Sequence, residues 1–413
     1  MVDAAQDRVP QDESGGGTSH RVSYVILISG LMAFSMGQTV LFAVLGPIAR
    51  EIGLREIHVG LIITAAALAV VVSSPLWGRL ADRWGRRPVF VLGLAGYAVS
   101  TFAFAGVLYA GLESMMLPMV ALAALIATRT VYGLIASAVQ PTASAYVADI
   151  TTDETRSAGM AALGAAFGIG SILGPALGAA LAGFGLVVPI VSAAMLALGL
   201  AIVAWAFLPE PRRHGSGDTP ALKISDPRIR GVILLTLAIF ISFAIIQQTT
   251  AFYIQDKFAQ SAQQTASTVG LLIAGMAFAM LLAQAVIVQI FKPSPGALVR
   301  SGLSIGIVGA IAVLAAPNVP WSMAAFGVFG LGFGLLFPGV NAAGSVQVGP
   351  QEQGAALGLV SAAMAGGFVI GPLLGTWLYE QAAWSPLALV AGLSAVCLLV
   401  SLAMRLGPKT GPA

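Results

Sequence analysis

Charge is what this sequence has least of. Asp, Glu, Lys and Arg make up only 9% of its 413 residues, against about a quarter in soluble domains. With 58% hydrophobic residues, that shortage excludes an ordinary soluble globular chain. Cysteine is nearly absent as well. Cys397 is the single one, so an internal disulfide is excluded, and its place in the last apolar run marks it as a packed apolar side chain. The few polar residues form no metal-ligand cluster, no nucleophile–base pair and no nucleotide-binding loop. An enzyme is therefore not expected, and neither a metal nor a cofactor is called for. A net charge of +3 spread over membrane loops does not imply a nucleic-acid partner.

What is present is a series of apolar runs of about twenty residues each, the length that crosses a bilayer as a helix. Twelve spans are expected, at 23–48, 57–77, 89–110, 116–146, 157–183, 186–208, 229–256, 265–291, 297–316, 320–346, 354–380 and 385–406. Lipid offers no partner for a free backbone group, and the runs are too long for barrel strands, so the fold class is an all-α membrane protein. Pro141, Pro175, Pro338 and Pro372 are expected to kink their spans. Residues 1–22 are polar and expected to be a disordered tail, with no removable signal peptide. Residues 407–413 form a second tail.

Basic residues set the orientation. If the N-terminus is cytoplasmic, every Lys and Arg falls on the cytoplasmic side except Arg50, Arg55 and Lys257 outside and Arg129 within a span. Both termini are thus expected in the cytoplasm. Residues 209–228, rich in proline, glycine and basic side chains, read as a polar linker. It divides six spans at 23–208 from six at 229–406. An internal repeat supports two parallel halves. Adding 197 carries Gly133 to Gly330, Gly170 to Gly367 and Gly174-Pro175 to Gly371-Pro372. Earlier in each half, adding 210 carries Gln38-Thr39 to Gln248-Thr249 and Phe42 to Phe252.

The densest charge lies between spans two and three, in Gly78-Arg79-Leu80-Ala81-Asp82-Arg83-Trp84-Gly85-Arg86-Arg87-Pro88. Its spacing, G-x-L-x-D-R-x-G-R-R, resembles the signature loop of the major facilitator superfamily of secondary transporters. Gly78 is expected to permit a tight turn close to a neighbouring helix. The resemblance implies that Gly78, Asp82, Arg83, Gly85, Arg86 and Arg87 form a conformational switch with Asp149. In it Asp82 would face the start of the eleventh span, near Gln353 and Gly354, and Arg86 would pair with Asp149.

Two further motifs refine the likeness. Gly170, Gly174 and Gly178, with Pro175, resemble the fifth-helix signature of drug:proton antiporters, although Ala179 replaces the final glycine. Recurring every four residues, these glycines also make a stripe for close helix contact, and Gly367 to Gly375 repeat it. Arg129 lies mid-span, where a charge is costly and functional by default. It resembles the fourth-helix arginine of drug exporters, with Tyr132 standing where a glutamine is usual.

No Asp, Glu or His lies within span one or near the centre of any other span. Titratable groups are peripheral: Asp82, Asp149, His58, Glu113, Asp256 and Glu380. The expected cavity is lined by Phe34, Met36, Gln38, Thr39 and Phe42 from span one. Gln247, Gln248, Thr249, Phe252 and Tyr253 would line it from span seven and Asn341 from span ten, with Arg129 coupling substrate to protons. Aromatic side chains and amides suit a mid-sized, partly apolar ligand.

The expected function is proton-coupled efflux of small amphipathic compounds by alternating access, driven by the proton gradient. Proton-coupled uptake of a small organic anion is the alternative, and a membrane-embedded enzyme the remote one. The expected partners are a small-molecule substrate and the lipid bilayer of the cytoplasmic membrane, with the chain acting as a monomer.

Overall fold

The computed structural model describes residues 13–211, 222–404 and 406. Among them every regular element is helical, and twelve helices are long and apolar enough to cross a membrane. The first half runs α1 (Glu13–Glu51), α2 (Glu56–Trp84), α3 (Arg86–Leu112), α4 (Pro118–Ala136), α5 (Val139–Ile150), α6 (Asp153–Leu181) and α7 (Val188–Phe207). The second runs α8 (Arg230–Phe258), α9 (Ala262–Leu282), α10 (Gln289–Phe291), α11 (Pro295–Ala315), α12 (Val319–Val346), α13 (Gln353–Gln381) and α14 (Ser385–Ala403). Large apolar side chains such as Leu68, Val99, Ile202, Phe207, Phe278 and Leu399 are exposed, the surface a bilayer would cover.

Helix starts follow local chemistry. Ser261, Ser294 and Asn318 accept from the backbone N–H groups of Gln264, Ala297 and Trp321, which stabilises the first turns of α9, α11 and α12. Span four is two helices. It breaks at Ser137–Ala138 and resumes at Val139, so Pro141 falls in the first turn of α5, where no intrahelical donor is lost. Pro175, Pro338 and Pro372 lie inside α6, α12 and α13 as expected. Span eight contains a π-helical turn, Ala283–Val288, between α9 and α10.

The glycine repeat has a physical basis. A Cβ on Gly170 or Gly174 would fall 2.3 Å from the Met32 carbonyl oxygen or 2.2 Å from that of Met36, so α6 lies directly against α1. Gly367 and Gly371 would meet Phe240 and Ala244 in the same way, laying α13 against α8. Contacts across the halves repeat too. Gly60 of α2 abuts Thr376 and Pro372 of α13, and Gly270 of α9 abuts Pro175 and Ala179 of α6. These are the two-fold-related sides of one interface.

Three expectations need correction or bounding. The first helix is already formed at Glu13, so only residues 1–12 of the expected tail remain, and they lie outside the described residues. Residues 212–221 of the linker and the tail 407–413 lie outside them as well. Gly78 is not in a turn. It is inside α2, and a Cβ there would meet nothing within 4 Å. The charged stretch continues α2 to Trp84, and only Gly85, with φ 110°, leaves the helical region before α3 begins.

Candidate functional site: a cavity between two half-molecules

Hereafter the hinge face is the side holding the α2–α3 junction, and the far face is the opposite one. Between the halves lies a cavity of about 450 Å³. Gln38, Thr39 and Phe42 reach it from α1, Arg129 and Tyr132 from α4, and Ser171 from α6. The second half contributes Phe240, Phe243 and Gln247 from α8 and Gln284 from the π turn. Phe333 and Phe337 of α12 and Phe368 of α13 complete that wall.

Helix phase decides which expected residues arrive. Gln38, Thr39 and Phe42 share one face of α1 and line the cavity as anticipated. Phe34 does not. It is buried in the first half, 5.7 Å from the Tyr97 ring. On α8 the cavity-facing stripe is Phe240, Phe243 and Gln247, so Gln248 and Thr249 turn away by about 100° and 200°. Gln248 is buried, and Thr249 donates to the Ile245 carbonyl at 2.8 Å and packs against Gly375. Phe252 and Tyr253 lie a turn or more nearer the far face. Phe252 packs under Arg50 and beside Tyr379, while the Tyr253 hydroxyl donates to the Val313 carbonyl at 3.3 Å. Asn341 donates to the Phe337 carbonyl, one turn back on its own helix, at 2.8 Å.

The residues missed are the phenylalanines of the second wall and Gln284. Rings of Phe243 and Phe333 stand 4.8 Å apart, and Phe240 lies 6.0 Å from both Phe337 and Phe368. The spacing of Phe240, Phe243 and Gln247 (i, i+3, i+7) is a helical stripe that could have revealed them. Nothing in the sequence announced the π turn that carries Gln284, a distortion often found at functional sites.

Arg129 is 5% exposed, and its guanidinium lies 3.9 Å from the Tyr132 ring centroid and 5.4 Å from that of Phe104. Tyr132 therefore gives the cation an aromatic face, which offsets part of the cost of burying it. Arg129 Nε and the hydroxyl of Tyr132 are buried without a hydrogen-bond partner. Among the described residues lining the cavity, Arg129 carries the only formal charge.

At the hinge face, Arg86 Nε donates to Asp149 at 3.0 Å, the pair anticipated, and the same guanidinium holds Asp82 at 2.6 Å. Asp82 is largely exposed, whereas Asp149 is buried. Arg83 is exposed beside it. Glu210 was not anticipated. Its carboxylate accepts from the backbone N–H groups of Arg86 and Arg87 at 2.5 and 3.0 Å, complementing the positive end of α3. None of these contacts reaches the second half.

The far face joins the halves. Asp256 accepts from Arg50 at 2.5 and 2.9 Å and from the Tyr379 hydroxyl at 2.7 Å. Arg50 also holds Glu56 at 2.6 Å, and Arg55 holds Glu380 at 2.5 Å. His58 is a capping group here, its Nδ1 accepting from the Arg55 backbone N–H at 3.1 Å. Gly46 packs against Ala251 and Phe252 just beneath. Toward the hinge face Gly78 of α2, Gly164 of α6 and Gly358 of α13 have open space where a Cβ would be. Among the described residues, the ion pairs that join the halves lie at the far face.

Comparison with known proteins agrees with this architecture. The sequence model of the Major Facilitator Superfamily matches residues 27–356 and 299–413. Multidrug resistance protein 1 of Bacillus subtilis (strain 168) is 28% identical over 369 residues, covering 87% of this chain and 90% of that protein. Tetracycline resistance protein, class C, of Escherichia coli is 29% identical over 371 residues, covering 83% and 86%. Among solved structures, the nucleoside transporter NupG superposes with a TM-score of 0.74 at 14% identity, over 92% of this chain and 98% of that one. A bacterial homologue of the human lysosomal transporter Spinster, inward-facing and occupied, gives 0.71 at 16% identity over 94% and 93%.

Proposed function

This chain belongs to the Major Facilitator Superfamily, and from that premise we propose that it exports small amphipathic compounds in exchange for protons, by alternating access. It is a multi-pass membrane transporter rather than an enzyme. The observation that carries the reading is a central cavity walled by both halves whose described cross-half ion pairs all lie at one face. With the hinge face in the cytoplasm, as the basic residues direct, this is the inward-facing state, ready to load from inside the cell. The relatives named for multidrug and tetracycline resistance support export.

Opening to the outside requires the far-face latch to part. Asp256 with Arg50 and Glu380 with Arg55 hold that face shut across the halves, and releasing those pairs frees the far ends. On the opposite swing, Asp82 meets the start of α13 and closes the hinge face, where its charge complements the helix dipole. The Gly170–Gly178 stripe lets α6 tilt on α1 without losing contact. The chain acts as a monomer in the cytoplasmic membrane, with both termini inside.

The test is a substrate panel in inverted vesicles with an imposed pH gradient. Accumulation of an amphipathic compound that collapses with the gradient supports exchange. No gradient-dependent movement of any compound in a panel spanning cations, neutrals and anions would overturn it.

A further inference from the structure

Resting on that reading, we propose that the cavity selects aromatic compounds carrying an anionic group, seated on Arg129. Three observations converge. The first is charge. Among the described residues the lining contains no Asp, Glu, His or Lys, so Arg129 is its only ionic group. A permanently cationic ligand meets a like charge and no compensating carboxylate.

The second is hydrogen bonding. Arg129 Nε and the Tyr132 hydroxyl are buried without partners, and both can donate. Tyr132 presents its ring face to the guanidinium, 3.9 Å away, and both side chains line the cavity. A buried donor without an acceptor is expensive, and a buried unpaired cation more so. A carboxylate or sulfonate supplies both the acceptor oxygens and the countercharge, and it matches the planar donor fork of arginine. Gln38 and Gln247 add neutral amides on the same cavity, able to donate or accept.

The third is the opposite wall. Phe240, Phe243, Phe333, Phe337 and Phe368 form a linked aromatic cluster on the second half. An aromatic body against those rings with an acid against Arg129 would bridge the two halves. A ligand of that shape joins binding to closure, because each half holds one end of it.

The experiment compares three fluorescent or radiolabelled probes on the purified full chain in proteoliposomes. They are 1-anilinonaphthalene-8-sulfonate, its neutral counterpart N-phenyl-1-naphthylamine, and the cation tetraphenylphosphonium. Saturable binding is measured in each case against protein-free vesicles. The wild type is expected to bind the sulfonate at least tenfold more tightly than either other probe. Arg129→Met should lose that tenfold preference while keeping its affinity for the neutral probe, which shows that the cavity persists. Arg129→Lys, which keeps the charge and loses the fork, should retain part of it.

Equal or tighter binding of tetraphenylphosphonium by the wild type overturns the proposal without reference to any variant. So does parallel loss of the sulfonate and the neutral probe in Arg129→Met, since that marks a structural brace. The two readings are separable in the same vesicles. Gradient-driven flux without anion preference sinks the substrate class and leaves export standing. Anion preference without gradient-driven flux upholds the substrate class and removes proton exchange.

Discussion

Asp256 shows how a peripheral carboxylate can join the two halves of a membrane protein. It takes hydrogen bonds from Arg50 and Tyr379, residues of opposite halves, and Arg50 is in turn stacked 5.0 Å from the Phe252 ring. Its side chain is 45% exposed, so the Arg50 pair contributes roughly 1 kcal/mol rather than the larger value of a buried pair. That is still about a fivefold shift in a two-state equilibrium. Asp256→Asn is therefore expected to leave expression unchanged and populate the far-face-open state about fivefold more, read as a shift in the far-face distance distribution. An unchanged distribution for this variant would mean that the pair does not hold the face shut.

The two acids on Arg86 should behave in opposite ways. Asp149 is buried, and removing it leaves the largely buried Arg86 guanidinium with only the exposed Asp82 as its acid partner, at a cost of up to about 3 kcal/mol. Asp149→Ala should lower thermal stability markedly. Asp82 is exposed, so Asp82→Asn should change stability by no more than about 1 kcal/mol and yet slow transport severely. Melting temperature and initial transport rate on the same preparations distinguish the two.

Among the elements, the α6 stripe carries the sharpest demand. A Cβ on Gly174 would fall 2.2 Å from both the Met36 carbonyl oxygen and Thr39 Oγ1, and Thr39 lines the cavity. The corresponding Gly371 would meet the Ala244 methyl at 2.6 Å and the Ile241 carbonyl at 2.9 Å. Gly174→Val is thus expected to impair exchange more than Gly371→Val at equal protein level, measured as initial rate. Equal losses would mean that the stripes serve packing alone.

A second element, the exposed clip of Arg228 with Asp226 and Glu352, ties the starts of α8 and α13 together. Hydrogen bonds from Arg228 hold both carboxyls below their usual range. Their folded pKa values are depressed, so the clip's contribution is complete above about pH 4 and fades as pH falls through the lowered values. Any stability difference between wild type and Arg228→Gln should be constant from pH 5 to 8 and shrink only below about pH 4. The clip therefore supplies no pH response near neutrality.

These elements also show what the sequence could reveal. Gly170, Gly174 and Gly178 repeat every fourth residue, so their close approach was readable, as was the Arg86–Asp149 pair from its motif. Arg129 declared itself by being charged in mid-span. The second cavity wall was misplaced because the repeat was matched by residue identity, Gln38-Thr39 onto Gln248-Thr249. Identity does not fix helix phase, and Phe240, Phe243 and Gln247 hold the face that Thr249 and Phe252 were expected to hold. Glu210 was invisible for another reason. Its role depends on a contact with Arg86 and Arg87 far away in sequence.

At the scale of the whole molecule, the proposed cycle has two half-bundles rock about a shared cavity, with one set of contacts closing each face in turn. Cys397 is the single cysteine and is buried, so Cys397→Ser gives a clean background for paired labels. The decisive measurement uses two such pairs in proteoliposomes, read by pulsed electron–electron distance spectroscopy. Glu51 with Gln381 reports the far face, and Arg79 with Gln351 reports the hinge face; all four sites are exposed. Without substrate at neutral pH, the far-face distance should be short and the hinge-face distance long. Asp256→Asn should lengthen the first and shorten the second together. If the two distances stay fixed, or lengthen in concert, the halves do not alternate and the account fails.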